Sequence, residues 1–352
     1  MRTIKYFEAV HEATDLCMAA DPSVYVIGLG VTDPKGVFGT TLGLEQKYGA
    51  RRVMDMPCAE NGMTGVVLGS ALSGMRPIMV HQRIDFALLA MEQIVNQAAK
   101  WHFMFGGRKP APLVIRLLVG RGWGQGPQHS QSLHAWFAHV PGLKVVLPST
   151  PQDAKGLLIS AVEDDNPVIF IEHRWLHNIS GPVPEGVYRE PLGKARLLRR
   201  GRDVTIVAIS HMALEAHRAA ATLAHEGVEA EVIDPRTLRP FDEEAIVESV
   251  ARTGRLLVAD TSWRHGGFAG EVVARVAEAS YGKLKCAPRR IALPECPTPT
   301  SPALAAHFYP TAGDIVAAAY EMVLGRRLAP CPAAVPAPHH LDVPDPSFTG
   351  PF

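Results

Sequence analysis

Five short apolar runs, spaced by helical stretches, constrain this chain more than any other feature. VYVIGLGV (24–31), RPIMV (76–80), PLVIRLLV (112–119), LKVVLP (143–148) and PVIFIEH (167–173) are dominated by apolar residues. Between them the sequence reads as helix over 4–20, 61–74, 86–103 and 151–164. Apolar strands without polar alternation are buried on both faces, so the pattern predicts a mostly parallel sheet covered by helices on each side. A second series repeats the alternation. Strands are expected at VTIVAIS (204–210), VEAEVID (228–234) and RLLVAD (255–260), and helices over 212–226, 242–253, 268–281 and 312–325. Between the series, GPVPEGVYREPLGKARLLRRGRD (181–203) is polar, carries Pro and Gly, and lacks a sustained apolar period. It reads as a linker. The expectation is therefore two doubly wound α/β domains, 1–180 and 204–326. A Pro-rich tail, 327–352, follows and cannot build a core.

Composition excludes several function classes. Lys+Arg and Asp+Glu each number 35, so the formal net charge is zero. A nucleic-acid or anionic-membrane partner calls for a basic excess, and neither partner is expected. No run approaches the roughly 20 apolar residues of a membrane span. The five cysteines are irregularly spaced, without a CxxC pair. MRTIKYFEAVHEA at the N-terminus is amphipathic rather than a charged start before an apolar run. A cytoplasmic protein without a signal peptide is expected.

The chemistry concentrates in two stretches. DMPCAENGMTGVVLGSALSG (55–74) brings Glu60 to a helix start with no basic residue within four positions. One role open to it is helix capping, where a carboxylate meets free N–H groups and the helix dipole. The other is a ligand partner, because Gly62, Gly65, Gly69, Ala71 and Gly74 leave little bulk and let a flat ligand or a second helix approach closely. GRGWGQGPQHSQSLHAWFAH (120–139) alternates glycines with bulky residues, as a loop of unusual backbone angles does. It lacks the GKS or GKT ending of a P-loop. His129 stands at the end of that loop and can trade protons near neutral pH. His129, His134 and His139 are five residues apart, about 140° per step on a helix, so they do not share a face and do not suit one metal ion. GLGVTD (28–33) lacks the third glycine of a dinucleotide fingerprint.

These stretches resemble the beta subunit of the thiamin-diphosphate-dependent first component of 2-oxo acid dehydrogenase complexes, the pyruvate, branched-chain and acetoin dehydrogenase group. The resemblance runs from about residue 3 to 325, through AENGMTGVVLGSALSGMRPI, DFALLAMEQIVNQAAK, QHSQSLHAWFAHVPGLKVVLPSTPQDAKGLL, DPRTLRPFD and GRLLVADTSWRHGGFAGEV. It implies a transketolase-like pyrimidine-binding domain followed by a transketolase C-terminal-like domain. It implies that Glu60 hydrogen-bonds N1′ of the aminopyrimidine of thiamin diphosphate, and that Phe86 packs on that ring rather than serving only the core. It places His129 in the active-site channel. It matches Ala161, Val162, Asp164 and Asn166 to positions whose backbone carbonyls bind a structural potassium ion, although any helix C-terminus offers free carbonyls.

No Gly-Asp-Gly segment for Mg²⁺ and diphosphate occurs here. In the family an alpha subunit supplies that half. The cofactor is then shared in an α₂β₂ heterotetramer, this chain alone is inactive, and the acyl group of a decarboxylated 2-oxo acid passes to a lipoyl carrier. The chain departs from the family in three places. Val80 replaces an acid, Arg83 stands where Phe is common, and His134 where Glu or Gln is common. Arg83 is open to two roles, greeting a substrate carboxylate or phosphate, or facing solvent or a partner. Three rivals remain: a transketolase-like subunit passing a two-carbon unit from a ketose to a carrier protein, a non-catalytic scaffold subunit, and, more distantly, an NAD-binding oxidoreductase.

Overall fold

The computed structural model describes residues 1–122 and 124–327; the Pro-rich tail from 328 lies outside the described residues. The chain divides into two compact units. One holds Met1–Gly120 and Trp136–Leu192, the other Arg121–Ala135 and the chain from Gly193.

Up to residue 183 the elements are β1 (Arg2–Lys5), α1 (Tyr6–Ala20), β2 (Val24–Gly28), α2 (Leu44–Tyr48), β3 (Val53–Met54), α3 (Glu60–Leu72), β4 (Arg76–His81), an irregular helix, α4 (Ala99–Met104), β5 (Val114–Val119), α5 (His134–His139), β6 (Lys144–Val146), α6 (Pro151–Glu163), β7 (Val168–His173) and β8 (Ser180–Val183). In the first unit β6, β7, β5, β4, β2 and β3 lie side by side in that order. All these pairs are parallel. Every residue of β2, β5 and β7 is buried, as the unbroken apolar runs require. Local chemistry sets the helix ends. Thr150 caps α6 by accepting the Asp153 N–H at 3.1 Å, and Pro151, which has no N–H to satisfy, opens the first turn.

The second unit continues with β9 (Arg196–Arg199), β10 (Val204–Ala208), α7 (Met212–His225), β11 (Ala230–Asp234), β12 (Thr237–Arg239), α8 (Glu243–Thr253), β13 (Leu256–Trp263), α9 (Phe268–Ser280), β14 (Arg289–Leu293), α10 (Pro302–Ala305) and α11 (Ala312–Leu324). Its sheet order is β14-β13-β10-β11-β9, with β9 antiparallel at one edge and the other pairs parallel. Alanine-rich α7 and the apolar face of α11 pack with β10, β11 and β13 as one core. Gly254 and Gly325, both left-handed, end α8 and α11, and an Asp314–Thr311 capping box opens α11.

Three features differ from the sequence expectation. Residues 2–5 are a strand, paired antiparallel with β8, where helix was expected from residue 4. β9 lies within the 181–203 segment read as linker, and β8 runs into its start. Such ribbon and edge strands are partly wet, so their sequences carry no apolar run. The helix expected over 86–103 is tight and three-residue wound at Phe86–Ala90, wide at Glu92–Ala98, and α-helical only at Ala99–Met104. An apolar period cannot distinguish these windings, and wide turns are frequent at functional sites.

Candidate active site

Strands β3, β2, β4, β5 and β7 run in one direction, so the loops leaving their C-terminal ends share one edge of the sheet. Ligands of open α/β sheets bind at that edge. Three neighbouring loops are knitted together there. Asp55, after β3, accepts the Gly30 N–H at 2.8 Å and the Met56 N–H at 2.9 Å. Gln82, after β4, donates from Nε2 to the Leu29 carbonyl at 3.0 Å. Gly30 sits at φ +73, and a Cβ there would lie 2.5 Å from Gln82 Nε2. Sequence reading missed Asp55 and Gln82. Only the glycines of GLGVTD, standing just after a strand, hinted at a close approach.

Glu60 opens α3 and is 7% exposed beneath the exposed Cys58, Ala59, Asn61 and Gly62. Its side chain caps no helix N–H: the α3 N-cap is Ala59, without a side-chain bond. Among the described residues no cation pairs with it, and the thiol of Cys58 approaches Oε1 at 3.8 Å. A buried carboxylate served by so weak a donor has its lone pairs ready for a stronger one. This fits the N–H of a bound heterocycle better than the capping role. Phe86, half-buried, begins the irregular helix after β4, which packs against α3.

Arg83 is 5% exposed, which removes the solvent-facing role. Its Nη1 donates to the Gln82 carbonyl at 2.7 Å, and its guanidinium lies 5.0 Å from the Phe38 ring centroid. Arg174, after β7, lies 4.3 Å from the same ring. Phe38 holds φ +50, an unusual angle for a bulky residue. Burial draws Arg83 down to about 10. Burial and then the charge of Arg83 draw Arg174 to about 9, so both remain charged at neutral pH.

Deeper in the sheet, Arg116 Nε donates to Glu172 Oε1 at 2.6 Å and His177 Nε2 lies 3.2 Å from Glu172 Oε2, all three buried. Val80 stands opposite Arg116 in the strand register, where an acid was expected from the family pattern. Burial alone would raise the Glu172 carboxyl; the Arg116 charge and His177 hold it at about 2. Burial lowers His177, and likewise His81, to about 4.

The second unit carries the loop of His129. Gly122, Gly124 and Gly126 all have positive φ, as the alternating glycines implied. His129 is half-buried. His134 is fully buried against Asp260, while His139 is exposed at the end of α5, so the three histidines do not gather. Among the described residues no group of His, Cys, Asp and Glu forms a metal cage. In the segment matched to potassium, the carbonyls of Val162 and Asp164 accept from Arg76 Nη1 at 3.0 and 3.1 Å. The Lys144 ammonium rests on the Asp164 carboxylate. Two positive side chains already serve this turn alongside Ala161 and Asn166, and a third cation would be repelled. The residues present do not favour the ion, and we assign it no part in the reaction.

Comparison with known proteins gives the following. The transketolase pyrimidine-binding domain matches residues 2–178, and the transketolase C-terminal domain matches 193–315. The beta subunit of acetoin:2,6-dichlorophenolindophenol oxidoreductase from Cupriavidus necator is 45% identical over 327 residues, covering 90% of this chain and 96% of that one. The protein of the same description from Bacillus subtilis is 40% identical over 92% of this chain and 98% of its own. The beta subunit of the pyruvate dehydrogenase first component from Rhizobium meliloti is 40% identical over 90% of this chain and 69% of its own. Among solved structures, a split-gene transketolase described as an inactive beta4 tetramer superposes with a TM-score of 0.75 at 25% identity, over 91% of this chain and 99% of that one.

Proposed function

Because the chain belongs to the transketolase-like beta subunits of 2-oxo acid and acetoin dehydrogenases, we propose that it uses Glu60 to activate a shared thiamin diphosphate for cleavage of a small 2-oxo compound. The observation that carries this reading is the buried, cation-free Glu60 carboxylate at the C-terminal edge of the sheet. When bound, thiamin diphosphate would supply the carbon nucleophile and the electron sink that cleavage beside a carbonyl needs. Glu60 holds a proton shared with the pyrimidine N1′, and its low hydration strengthens that bond. Phe86 offers the ring a face. The Asp55–Gly30 and Gln82–Leu29 bonds hold the surrounding loops still, so little reorganisation accompanies the reaction. His129, on its glycine-rich loop, is the proton carrier for the acyl group.

Mg²⁺ and the diphosphate fall to an alpha partner, in an α₂β₂ assembly, a reading supported by the beta-subunit descriptions of the relatives. Phe103 and Met104, 86% and 57% exposed on α4, are apolar surface such a partner would cover. The acyl product passes to a lipoyl carrier. No helix among the described residues is long and apolar enough to cross a membrane.

The test is Glu60→Gln in the complex purified with its partner subunit, assayed with pyruvate and acetoin against a dichlorophenolindophenol acceptor. Turnover should fall about 100-fold or more while the assembly stays intact. Unchanged turnover would mean a scaffold subunit. Consumption of a ketose phosphate in place of both substrates would establish the transketolase-like alternative.

A further inference from the structure

His134 stands outside the reading above, yet it is a fully buried histidine five residues from His129. The loop between Arg121 and Leu133 has three glycines at positive φ, and left to itself it would sample many conformations. Within the second unit it is fastened at Arg121 and again from Ser130 to His134. The Arg121 guanidinium lies 4.1 Å from the Tyr309 ring centroid. Thr298 Oγ1 donates to the Ser130 carbonyl at 3.3 Å. Ser132 Oγ lies 3.0 Å from Thr261 Oγ1 and 3.3 Å from His134 Nδ1. His134 Nε2 lies 2.8 Å from Asp260 Oδ1, with both side chains fully buried.

Asp260 is itself fixed. It sits on β13, and its two oxygens accept the Ser262 N–H at 3.0 Å and the Ala269 N–H at 3.2 Å, the latter in the first turn of α9. Burial alone would raise this carboxyl; His134 and the two amides hold it below the usual range. The carboxylate is thus a rigid anchor, and His134 is the point where the loop ties to it. We propose that His134 and Asp260 are a positioning pair that fixes the loop carrying His129. The proposal rests on the assignment of His129 to the reaction. Neither residue meets the substrate; both act through the loop, and neither is called catalytic. A family position common for Glu or Gln has here become a histidine with a carboxylate partner 126 positions away in the chain.

The test uses the full chain assembled with its partner subunit. His134→Gln replaces the imidazole by a polar amide, and Asp260→Asn keeps the shape of the carboxylate and removes its charge. In each, kcat should fall about tenfold, because the loop is displaced, while KM stays within about twofold. Trypsin should cut after the buried Arg121 faster than in wild type. The double variant should lose no more than the worse single one, because the two residues act as one unit. Wild-type kcat or wild-type trypsin resistance in both single variants overturns the proposal, and so do additive losses in the double. If Asp260→Asn fails to assemble, the milder His134→Gln decides alone. His129→Ala separates the two claims. Full turnover there removes the role of His129, while trypsin resistance still judges the pair.

Discussion

Glu172, inside the first sheet, and Glu60, at its C-terminal edge, are both buried carboxylates, 0% and 7% exposed, and their surroundings treat them oppositely. The sheet interior surrounds Glu172 with Arg116 and His177, so its charge is matched and held at about 2. The edge gives Glu60 a thiol at 3.8 Å and, among the described residues, no cation. Matched charge serves architecture, because Glu172 meets an opposite charge, the Arg116 guanidinium, within the fold. The incompletely served charge of Glu60 serves chemistry, because its remaining bonding capacity is available to something that arrives.

The comparison breaks most sharply at activity. Glu60→Gln should abolish about 99% or more of turnover and leave the thermal stability of the complex unchanged or slightly raised, since it removes a buried charge that lacks a partner. Glu172→Gln should do the reverse. It strands the Arg116 guanidinium, whose Nη1 and Nη2 already lack partners, and should cost about 3–5 kcal/mol of stability in urea melts. The turnover of molecules that remain folded should be kept. If Glu172→Gln reduced turnover without reducing stability, the division between the two regions would fail.

Acid sharpens the comparison. The folded pKa of His177 is depressed from 6.5 to about 4, so between those values the unfolded chain binds the extra proton. Stability is full above pH 6.5 and declines as pH falls toward 4. Glu172, depressed from 4.5 to about 2, continues the decline in the lower window. His177→Asn should make the upper window of the stability–pH curve shallower, leaving there the share of His81, while Glu172, still facing Arg116, keeps a decline in the lower window. A curve unchanged between pH 6.5 and 4 would show that His177 is not held neutral by the fold.

How much of this was legible depends on where each signal lies along the chain. The interior strands β2, β4, β5 and β7 follow from continuous apolar runs, because burial on both faces leaves its mark on every residue. Glu60 was legible because a lone acid among small residues is locally anomalous. Asp55 and Gln82 were not, because their work is to bond backbone groups of a different loop, at Gly30 and Leu29, and polar residues in loops are ordinary. The partner of Arg116 is equally hidden: Glu172 is 56 positions away, and the pairing of β5 with β7 brings the two to diagonal positions. The winding of residues 86–104 was illegible because three-residue, wide and ordinary turns share one apolar period to within the length of the segment.

Cys58 gives the finest test of the difference between the two regions. Its thiol is, among the described residues, the one side-chain donor on the Glu60 carboxylate, and if that contact were a true partner, Glu60 would resemble Glu172. A thiol is a weak donor, and Cys58 is exposed, so water can take its place without strain. Cys58→Ala should therefore change turnover of the complex by no more than about twofold, and stability by about 0.5 kcal/mol or less. A loss as deep as that of Glu60→Gln would make the thiol part of the machinery. The edge would then hold a matched pair, and incomplete bonding would no longer mark out the carboxylate that works.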